Sequence, residues 1–260
     1  MRESIVQVYI NILNEYKNSN KKLKDKYYLS FIFYRHICFP LVALFLKLGI
    51  TANTVTLFGF ISLVIAFSLI ALGTESSFIF GGGFYFLAFI LDFADGTLAR
   101  YINKPNYFGK LIDGLVDYFS HLLYFFIGLG LYKNNSYSDF DLNWILIGSF
   151  MSMIVLFLIY FRIRILYFTQ EESISSKDNQ QEKKIKEGNK NTTSFTAHLN
   201  RASENFIVLC PILLLIFVFA NNVDLFILIY FLFFIVLFIF EVPLRLYKFR
   251  KFTKIERGFL

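Results

Sequence analysis

Hydrophobic residues in this chain occur in long runs that are separated by short polar connections. Six runs reach the length of about 20 residues that one membrane crossing needs; they cover 52–72, 78–101, 108–132, 142–168, 203–220 and 222–247. A soluble domain would instead scatter its apolar positions at helix or strand spacing. The pattern therefore predicts an all-α polytopic membrane protein with six transmembrane helices.

The composition agrees with this prediction. Hydrophobic residues make up 56% of the chain and charged residues 17%, against roughly 45–50% and 25% in soluble domains. No cleavable signal pattern is expected, because Gln, Asn and Glu interrupt the first apolar residues. The two cysteines, Cys38 and Cys210, lie in apolar stretches, so we expect packing roles and no disulfide.

The positive charges alternate between the connections. The connections 73–77 and 220–224 hold no Lys or Arg, and 133–141 holds only Lys133. The basic residues lie instead in 17–26, 100–110, 169–202 and 248–257. Since cytoplasmic loops are enriched in Lys and Arg, this predicts both termini in the cytoplasm. The net charge of +7 is then explained by membrane topology, and no nucleic-acid partner is expected.

The segments outside the spans divide the chain further. Residues 1–50 are predicted to form cytoplasmic or interfacial helices ahead of the transmembrane domain, 51–247. The run 31–48 is short and contains Arg35, His36, Pro40 and Lys47, so we expect an interfacial helix that Pro40 kinks or begins. Residues 3–16 predict a second amphipathic helix, on the membrane surface or as a small soluble helix. Residues 169–202 predict a flexible cytoplasmic loop, and 248–260 a basic cytoplasmic tail.

Four aspartates interrupt the second and third runs. Asp92 and Asp95 are three residues apart, and Asp113 and Asp117 are four apart, so each pair shares one helix face. Each charge at membrane depth costs about 2.5–3.5 kcal/mol, which calls for neutralising cations. Oxygen-only ligands favour Mg²⁺ or Mn²⁺ over Zn²⁺. We therefore predict a centre that holds a pair of such ions and serves phosphoryl transfer.

The two pairs are expected to face each other across a hairpin that turns near 102–107. At 1.5 Å per residue, Asp95 and Asp113 lie about 9–10 Å from the turn, and Asp92 and Asp117 about 14–15 Å. The residues around them are small or basic. Gly96 and Gly109 suggest close approach of a ligand, Gly114 a ligand or tight helix packing, and Arg100 a phosphate or base contact. His121, one turn past Asp117, assists proton transfer or packs between helices.

The frame that starts at Asp92 is Asp-x2-Asp-Gly-x2-Ala-Arg-x8-Gly-x3-Asp-x3-Asp. It resembles the signature of the CDP-alcohol phosphatidyltransferases at every fixed position. The stretch 49–56 also looks like the Thr-Pro-Asn-x-x-Thr stretch before the first span of that family, with Ala52 in place of proline. The resemblance implies that Asp92, Asp95, Asp113 and Asp117 bind metal and that Asp117 is also the general base. It further implies that Gly96, Ala99, Arg100 and Gly109 line the CDP moiety, and that the protein is a homodimer.

The reaction that the resemblance implies is transfer of a phosphatidyl group from a CDP-linked lipid, CDP-diacylglycerol, to a small alcohol, with release of CMP. The acceptor stays open among glycerol 3-phosphate, inositol phosphate, serine, inositol and other alcohols. A phosphorylated acceptor needs a basic pocket, for which Arg162, Arg164 and Arg201 are candidates; positive-inside anchoring explains Arg162 and Arg164 equally well. Two alternatives remain: a CDP-aminoalcohol donor with diacylglycerol as acceptor, and a divalent-cation transporter.

Overall fold

The structure is a computed structural model, and it describes residues 5–19, 34–102, 107–134, 143–175 and 193–256. The described residues form helices joined by turns, without strands. The helices are α1 (Ile5–Ser19), α2 (His36–Leu48), α3 (Ala52–Ile70), α4 (Glu75–Tyr101), α5 (Tyr107–Ser120), α6 (Leu123–Lys133), α7 (Trp144–Ser175), α8 (Thr193–Phe219) and α9 (Val223–Glu256).

Six stretches of these helices are long and apolar enough to cross a membrane. They are Ala52–Ile70, Glu75–Tyr101, Tyr107–Lys133, Trp144–Phe168, Ala202–Phe219 and Val223–Tyr247. The sequence-based prediction of an all-α protein with six spans is thereby confirmed. Its spans agree with the structure to within a few residues.

Parts of the predicted loop 169–202 and of the predicted tail 248–260 are helical. Helix α7 continues through the last apolar residues to Ser175, and α8 already begins at Thr193. Helix α9 likewise runs past its span to Glu256. The residues 169–175 and 248–256 contain no Pro or Gly that would stop a helix. Of the predicted loop 169–202, the part 176–192 lies outside the described residues, as do 257–260 of the predicted tail.

The third span is broken in its middle. Helix α5 ends at Ser120 and α6 begins at Leu123. At the break, the amide of His121 donates to the carbonyl of Tyr118 and the amide of Leu122 to that of Phe119. These are bonds over three residues, tighter than α-helical ones. Neither Pro nor Gly marks this position, so the sequence predicted one continuous helix there.

Helices α3 and α4 pack against each other along much of their length. Gly81 of α4 leaves room for the end of α3, because a methyl group there would overlap Ile70 and meet the carbonyl oxygen of Ala66 at 3.0 Å. One turn deeper, the hydroxyl of Ser62 donates to the carbonyl of Phe84 at 2.8 Å. This pair gives the first two spans a fixed relative position.

Helices α6 and α7 touch backbone to backbone. A methyl group added at Gly148 would overlap the carbonyl oxygen of Tyr124, and one added at Gly128 would overlap that of Trp144. Only hydrogen fits at these two positions. The crossing point of the two helices is therefore fixed by a pair of glycines.

The substitution Gly148→Ala is expected to destabilise the protein, because its methyl group forces α6 and α7 apart. Overpacking of this kind costs about 1–3 kcal/mol, and we expect a fall in the melting temperature of purified protein of several degrees. Gly83→Ala is the matched control, since nothing lies within 4 Å of a methyl group there. Equal melting temperatures for the two variants would contradict the close crossing.

The N-terminal helices pack on the halves of α4 and α8 that lie nearest the aspartates. The ring of Tyr34, just before α2, is buried and stacks on Phe93 at 5.2 Å between ring centroids. Its hydroxyl donates to the carbonyl of Val208 in α8 at 2.7 Å. Helix α1 packs on α2 and buries Ile12. Pro40 lies inside α2 and not at its start.

Cys38 and Cys210 are both free and buried, as their predicted packing roles require. Burial raises the pKa of the Cys38 thiol to about 11. The thiol is therefore neutral at physiological pH.

A buried ion cluster joins α7 to α9. The carboxylate of Glu241 has no exposed surface and accepts from Arg162 Nε and Nη2, both at 2.6 Å. It also accepts from Arg245 Nε at 2.7 Å. Paired, bidentate geometry of this kind offsets the cost of burying the charges. We call these three residues the α7–α9 clamp.

Candidate active site

Three of the four predicted aspartates converge between α4 and α5. Asp92, Asp95 and Asp113 each offer a carboxylate oxygen such that the three oxygens lie within 4.8 Å of one another. The carboxyl groups of Asp92 and Asp113 are within hydrogen-bonding reach of each other. We call this group the three-aspartate cluster.

The cluster is electrostatically unfavourable without a cation. At a separation of 4.8 Å, two negative charges repel by about 3.5 kcal/mol even at an effective dielectric constant of about 20. The three side chains supply only oxygen, and no Cys or His belongs to the group. Hard divalent cations such as Mg²⁺ and Mn²⁺ prefer such ligands, so the residues present fit a metal centre.

Asp95 is the most buried member of the cluster, with 4% of its surface exposed. Its Oδ2 accepts a hydrogen bond from the hydroxyl of Thr56 at 2.5 Å. Thr56 belongs to α3, so the first span also contributes to the site. Thr56 lies in the stretch 49–56 that resembles the family, but no role at the site was predicted for it from the sequence.

Asp117 lies outside the three-aspartate cluster. It is exposed, one turn beyond Asp113 on α5 and directly before the break of the third span. Its backbone carbonyl accepts from the hydroxyl of Ser120 at 2.7 Å, in place of an α-helical amide bond. The predicted pairing by depth placed Asp117 opposite Asp92, and the two carboxylates are close enough to repel each other; Asp113 lies within hydrogen-bonding reach of Asp92 as well.

Arg100 lies along its own helix toward the cluster. Its guanidinium passes over Gly96, where an added methyl group would meet Nη1 at 3.4 Å. Nη2 donates to the hydroxyl of Thr97 at 3.3 Å. The charge of Arg100 also acts on Asp113 of the cluster. A methyl group at Gly96 would make only ordinary contact with the end of this flexible side chain, so the predicted approach of a ligand at Gly96 stays a prediction.

The space around Gly114 is open. No atom lies within 4 Å of a methyl group placed there, so tight helix packing does not explain this glycine. Ala99 and Gly109 are half-buried, at the last turn of α4 and the first turn of α5 respectively. Open space beside a cluster of ligand oxygens is what a bound substrate requires.

The comparisons with known proteins address the same part of the chain. Residues 49–217 match the family model of the CDP-alcohol phosphatidyltransferases. The chain belongs to this family. The matched region contains Thr56, the three-aspartate cluster and Asp117. The members of this family are transferases.

One relative among curated proteins is an uncharacterized protein of Aquifex aeolicus (strain VF5). It is 32% identical to this CDP-alcohol phosphatidyltransferase over 119 residues, which is 41% of this chain and 52% of the relative. The chain thus aligns with about half the length of the curated relative. Its name assigns no substrate.

The arginines predicted to bind the acceptor lie apart from the cluster in the described contacts. Arg162 belongs to the α7–α9 clamp. Arg164 lies over the ring of Phe168 at 4.5 Å and near that of Tyr167 at 5.6 Å. Arg201 is part of α8, and its side chain lies outside the description. Cation–π stacking at the end of a span suits positive-inside anchoring of Arg164.

One acidic residue of α8, Glu204, was assigned no role of its own from the sequence. Oxygen Oε2 of Glu204 is buried and makes no hydrogen bond. Helix α8 runs antiparallel to α4 with Leu215 beside Gly82, so the register places Glu204 at the depth of Phe93, next to Asp92 along the chain. The signal for Glu204 in the sequence is its charge, near the start of the otherwise apolar run 203–220.

Proposed function

We propose that this protein transfers a phosphatidyl group from a CDP-linked lipid, CDP-diacylglycerol, to the hydroxyl group of a small alcohol in phospholipid biosynthesis. The observation that carries the proposal is the three-aspartate cluster, which lies within the region that matches the family. The products are a phosphodiester lipid and CMP.

The proposal includes Mg²⁺ or Mn²⁺ as the cofactor, with two ions at the site. Asp92, Asp95 and Asp113 would hold them together with Asp117, whose exposed carboxylate lies one turn along α5. Bound divalent ions neutralise the negative charge that develops on the phosphoryl oxygens and on the leaving group.

The side chains of the protein divide the remaining work. The acceptor hydroxyl oxygen forms a new bond to the lipid-side phosphorus, and the bond from that phosphorus to the oxygen of CMP breaks. Asp117 accepts the hydroxyl proton, a role that suits a carboxylate outside the cluster. Arg100 pairs with phosphate oxygens. Gly96, Ala99 and Gly109 leave space for the CDP moiety near the ends of α4 and α5.

The proposal places the protein in the cytoplasmic membrane, with the active site and both termini toward the cytoplasm. The supporting observation is the positive charge, which lies on one side of the spans. The aspartates lie in the halves of the second and third spans that are nearer the basic connection 100–110, the side from which a water-soluble acceptor would enter. The partners are membrane lipids, the CDP-linked lipid and the alcohol, and the family resemblance supports a homodimer.

The acceptor alcohol is proposed to bind near the cytoplasmic ends of α7 and α8, where Arg162, Arg164 and Arg201 lie. Arg162 already donates two hydrogen bonds to Glu241, so an acceptor phosphate would compete with the α7–α9 clamp for this side chain. Each arginine is replaced by lysine in turn, and the KM for each acceptor is measured. A rise in KM shows how much that arginine contributes to acceptor binding.

The test of the proposed function is CMP release by purified protein with Mg²⁺, CDP-diacylglycerol and a panel of acceptor alcohols. Release that depends on one acceptor supports the proposal and identifies that acceptor. Release only with a CDP-aminoalcohol and diacylglycerol would overturn the choice of donor. If neither donor gives CMP while vesicles containing the protein take up Mn²⁺, the protein is a cation transporter and the proposal is wrong.

A further inference from the structure

Asp95 differs from the other aspartates of the cluster in how it is held. It is buried, whereas Asp92 and Asp113 are half-buried. One of its two oxygens, Oδ2, is engaged by the hydroxyl of Thr56, 39 positions earlier in the chain. The carboxylate is therefore fixed by a neighbouring helix and not only by its own backbone.

Thr56 is itself fixed. It lies in the first turns of α3, which begins after Thr51, and only 7% of its surface is exposed. Its hydroxyl lies 3.1 Å from the carbonyl of Ala52 and 2.5 Å from Asp95 Oδ2. A hydroxyl has one proton, and the shorter, charge-assisted contact takes it. The branched side chain of threonine has few rotamers in a helix, which keeps the hydroxyl in place.

The backbone under this contact is also rigid. Thr56 and Asp95 are carried by α3 and α4, the pair that packs closely at Gly81 and through the Ser62–Phe84 hydrogen bond. The contact with Thr56 fixes the orientation of the Asp95 carboxylate, whose oxygens keep lone pairs for a cation. Partners of metal ligands orient the ligands in this way, and their loss costs about 10- to 100-fold in metal affinity.

We propose that Thr56 is a positioning residue of the metal centre, which fixes the carboxylate of Asp95 so that it presents an oxygen to a divalent cation. Thr56 touches neither substrate nor metal and acts through Asp95. The inference rests on the proposed function only in assigning the centre to divalent cations; the measurement below is of binding and does not depend on turnover.

The first measurement is Mn²⁺ binding to the purified full chain, followed by the electron paramagnetic resonance signal of free Mn²⁺. Thr56→Val keeps the shape of the side chain and removes the hydroxyl, and we expect its Kd for Mn²⁺ to rise about 10-fold or more. Thr56→Ser restores the donor, and its Kd is expected to stay within about threefold of that of the unmodified protein.

Ser62→Ala is the matched control. It removes a hydroxyl that bonds the same two helices at 2.8 Å, but away from the aspartates. A purely structural role for Thr56 would lower the melting temperature in both variants and leave their Mn²⁺ affinity alike. The positioning role predicts weaker Mn²⁺ binding in Thr56→Val alone.

The second measurement is the Mg²⁺ dependence of CMP release. Thr56→Val is expected to need about 10-fold more Mg²⁺ for half-maximal rate, with an unchanged KM for the CDP-linked lipid at saturating Mg²⁺. If Thr56→Val fails to fold, Thr56→Ala replaces it with the same expectations.

The outcomes separate the two proposals. Equal Mn²⁺ affinity for Thr56→Val, Ser62→Ala and the unmodified protein would overturn the role of Thr56 and leave the transferase proposal standing. An unmodified protein that binds no Mn²⁺ would overturn both. Binding that Thr56→Val weakens, in a protein that releases no CMP, would support the positioning role and refute the transferase.

Discussion

Asp117→Asn is expected to reduce CMP release by about 10²- to 10⁴-fold, the usual contribution of a general base. The amide has nearly the shape of the carboxylate but cannot take the proton of the acceptor hydroxyl. Because Asp117 is exposed, the variant should fold normally; because Asp117 is also a proposed metal ligand, its Mn²⁺ binding should weaken, and CMP release is therefore compared at saturating metal. The measurements are CMP release, melting temperature and Mn²⁺ binding.

Two further variants make this result specific. Asp92→Asn alters the cluster itself and should lose both CMP release and Mn²⁺ binding. Asp224→Asn makes the same chemical change at the start of α9, where the side chain accepts from the amide of Leu225, and should change neither. An Asp117→Asn enzyme with more than about a tenth of the normal rate would rule out the general-base role.

Glu241→Ala is expected to destabilise the protein by about 3 kcal/mol or more, the cost of breaking a buried ion pair. The carboxylate is fully buried and serves two guanidinium groups, of which 15% and 12% are exposed. Its removal leaves Arg162 without the carboxylate that both Nε and Nη2 bind, and it removes one partner of Arg245. For a chain of this size we expect a fall in melting temperature of about 6–12 °C.

The control lies on the same helix. Arg164 is exposed and rests on aromatic rings, and among the described residues it has no carboxylate partner, so Arg164→Ala should cost much less stability than Arg162→Ala. The double variant Arg162→Met/Glu241→Met should be less destabilised than the sum of its single variants, since it removes both charges. Additive effects would show that the two residues do not form a clamp.

Much of this architecture could be predicted from sequence because a bilayer allows few solutions. Apolar runs of span length must be helices, and the alternation of basic connections predicts their orientation across the bilayer. The aspartates were identified for the same reason: at membrane depth a carboxylate such as Asp92 or Asp95 needs a partner, and its spacing selects a helix face.

The details that escaped prediction depend on tertiary contacts that carry no local signal. The break at His121 follows from hydrogen bonds between neighbouring residues and not from Pro or Gly. Thr56 resembles any helix-starting threonine until α4 brings Asp95 beside it. Arg162 fits topology or acceptor binding equally well in the sequence, and only the contact with Glu241, 79 residues away, reveals its partner.

Helix α5 makes the two halves of the candidate site unequal. None of its residues is buried, and it contacts α3 through Phe119, 5.4 Å from Phe60 between ring centroids. Asp92 and Asp95 are thus fixed by packing before anything binds, whereas Asp113 and Asp117 are fixed chiefly by what they bind. The first ligand to bridge α4 and α5 would bear the entropic cost of restricting the motion of α5, and the second would bind to a helix already restricted. For the proposed reaction we therefore expect metal and CDP-linked donor to bind with positive cooperativity, each raising the affinity for the other by the same factor.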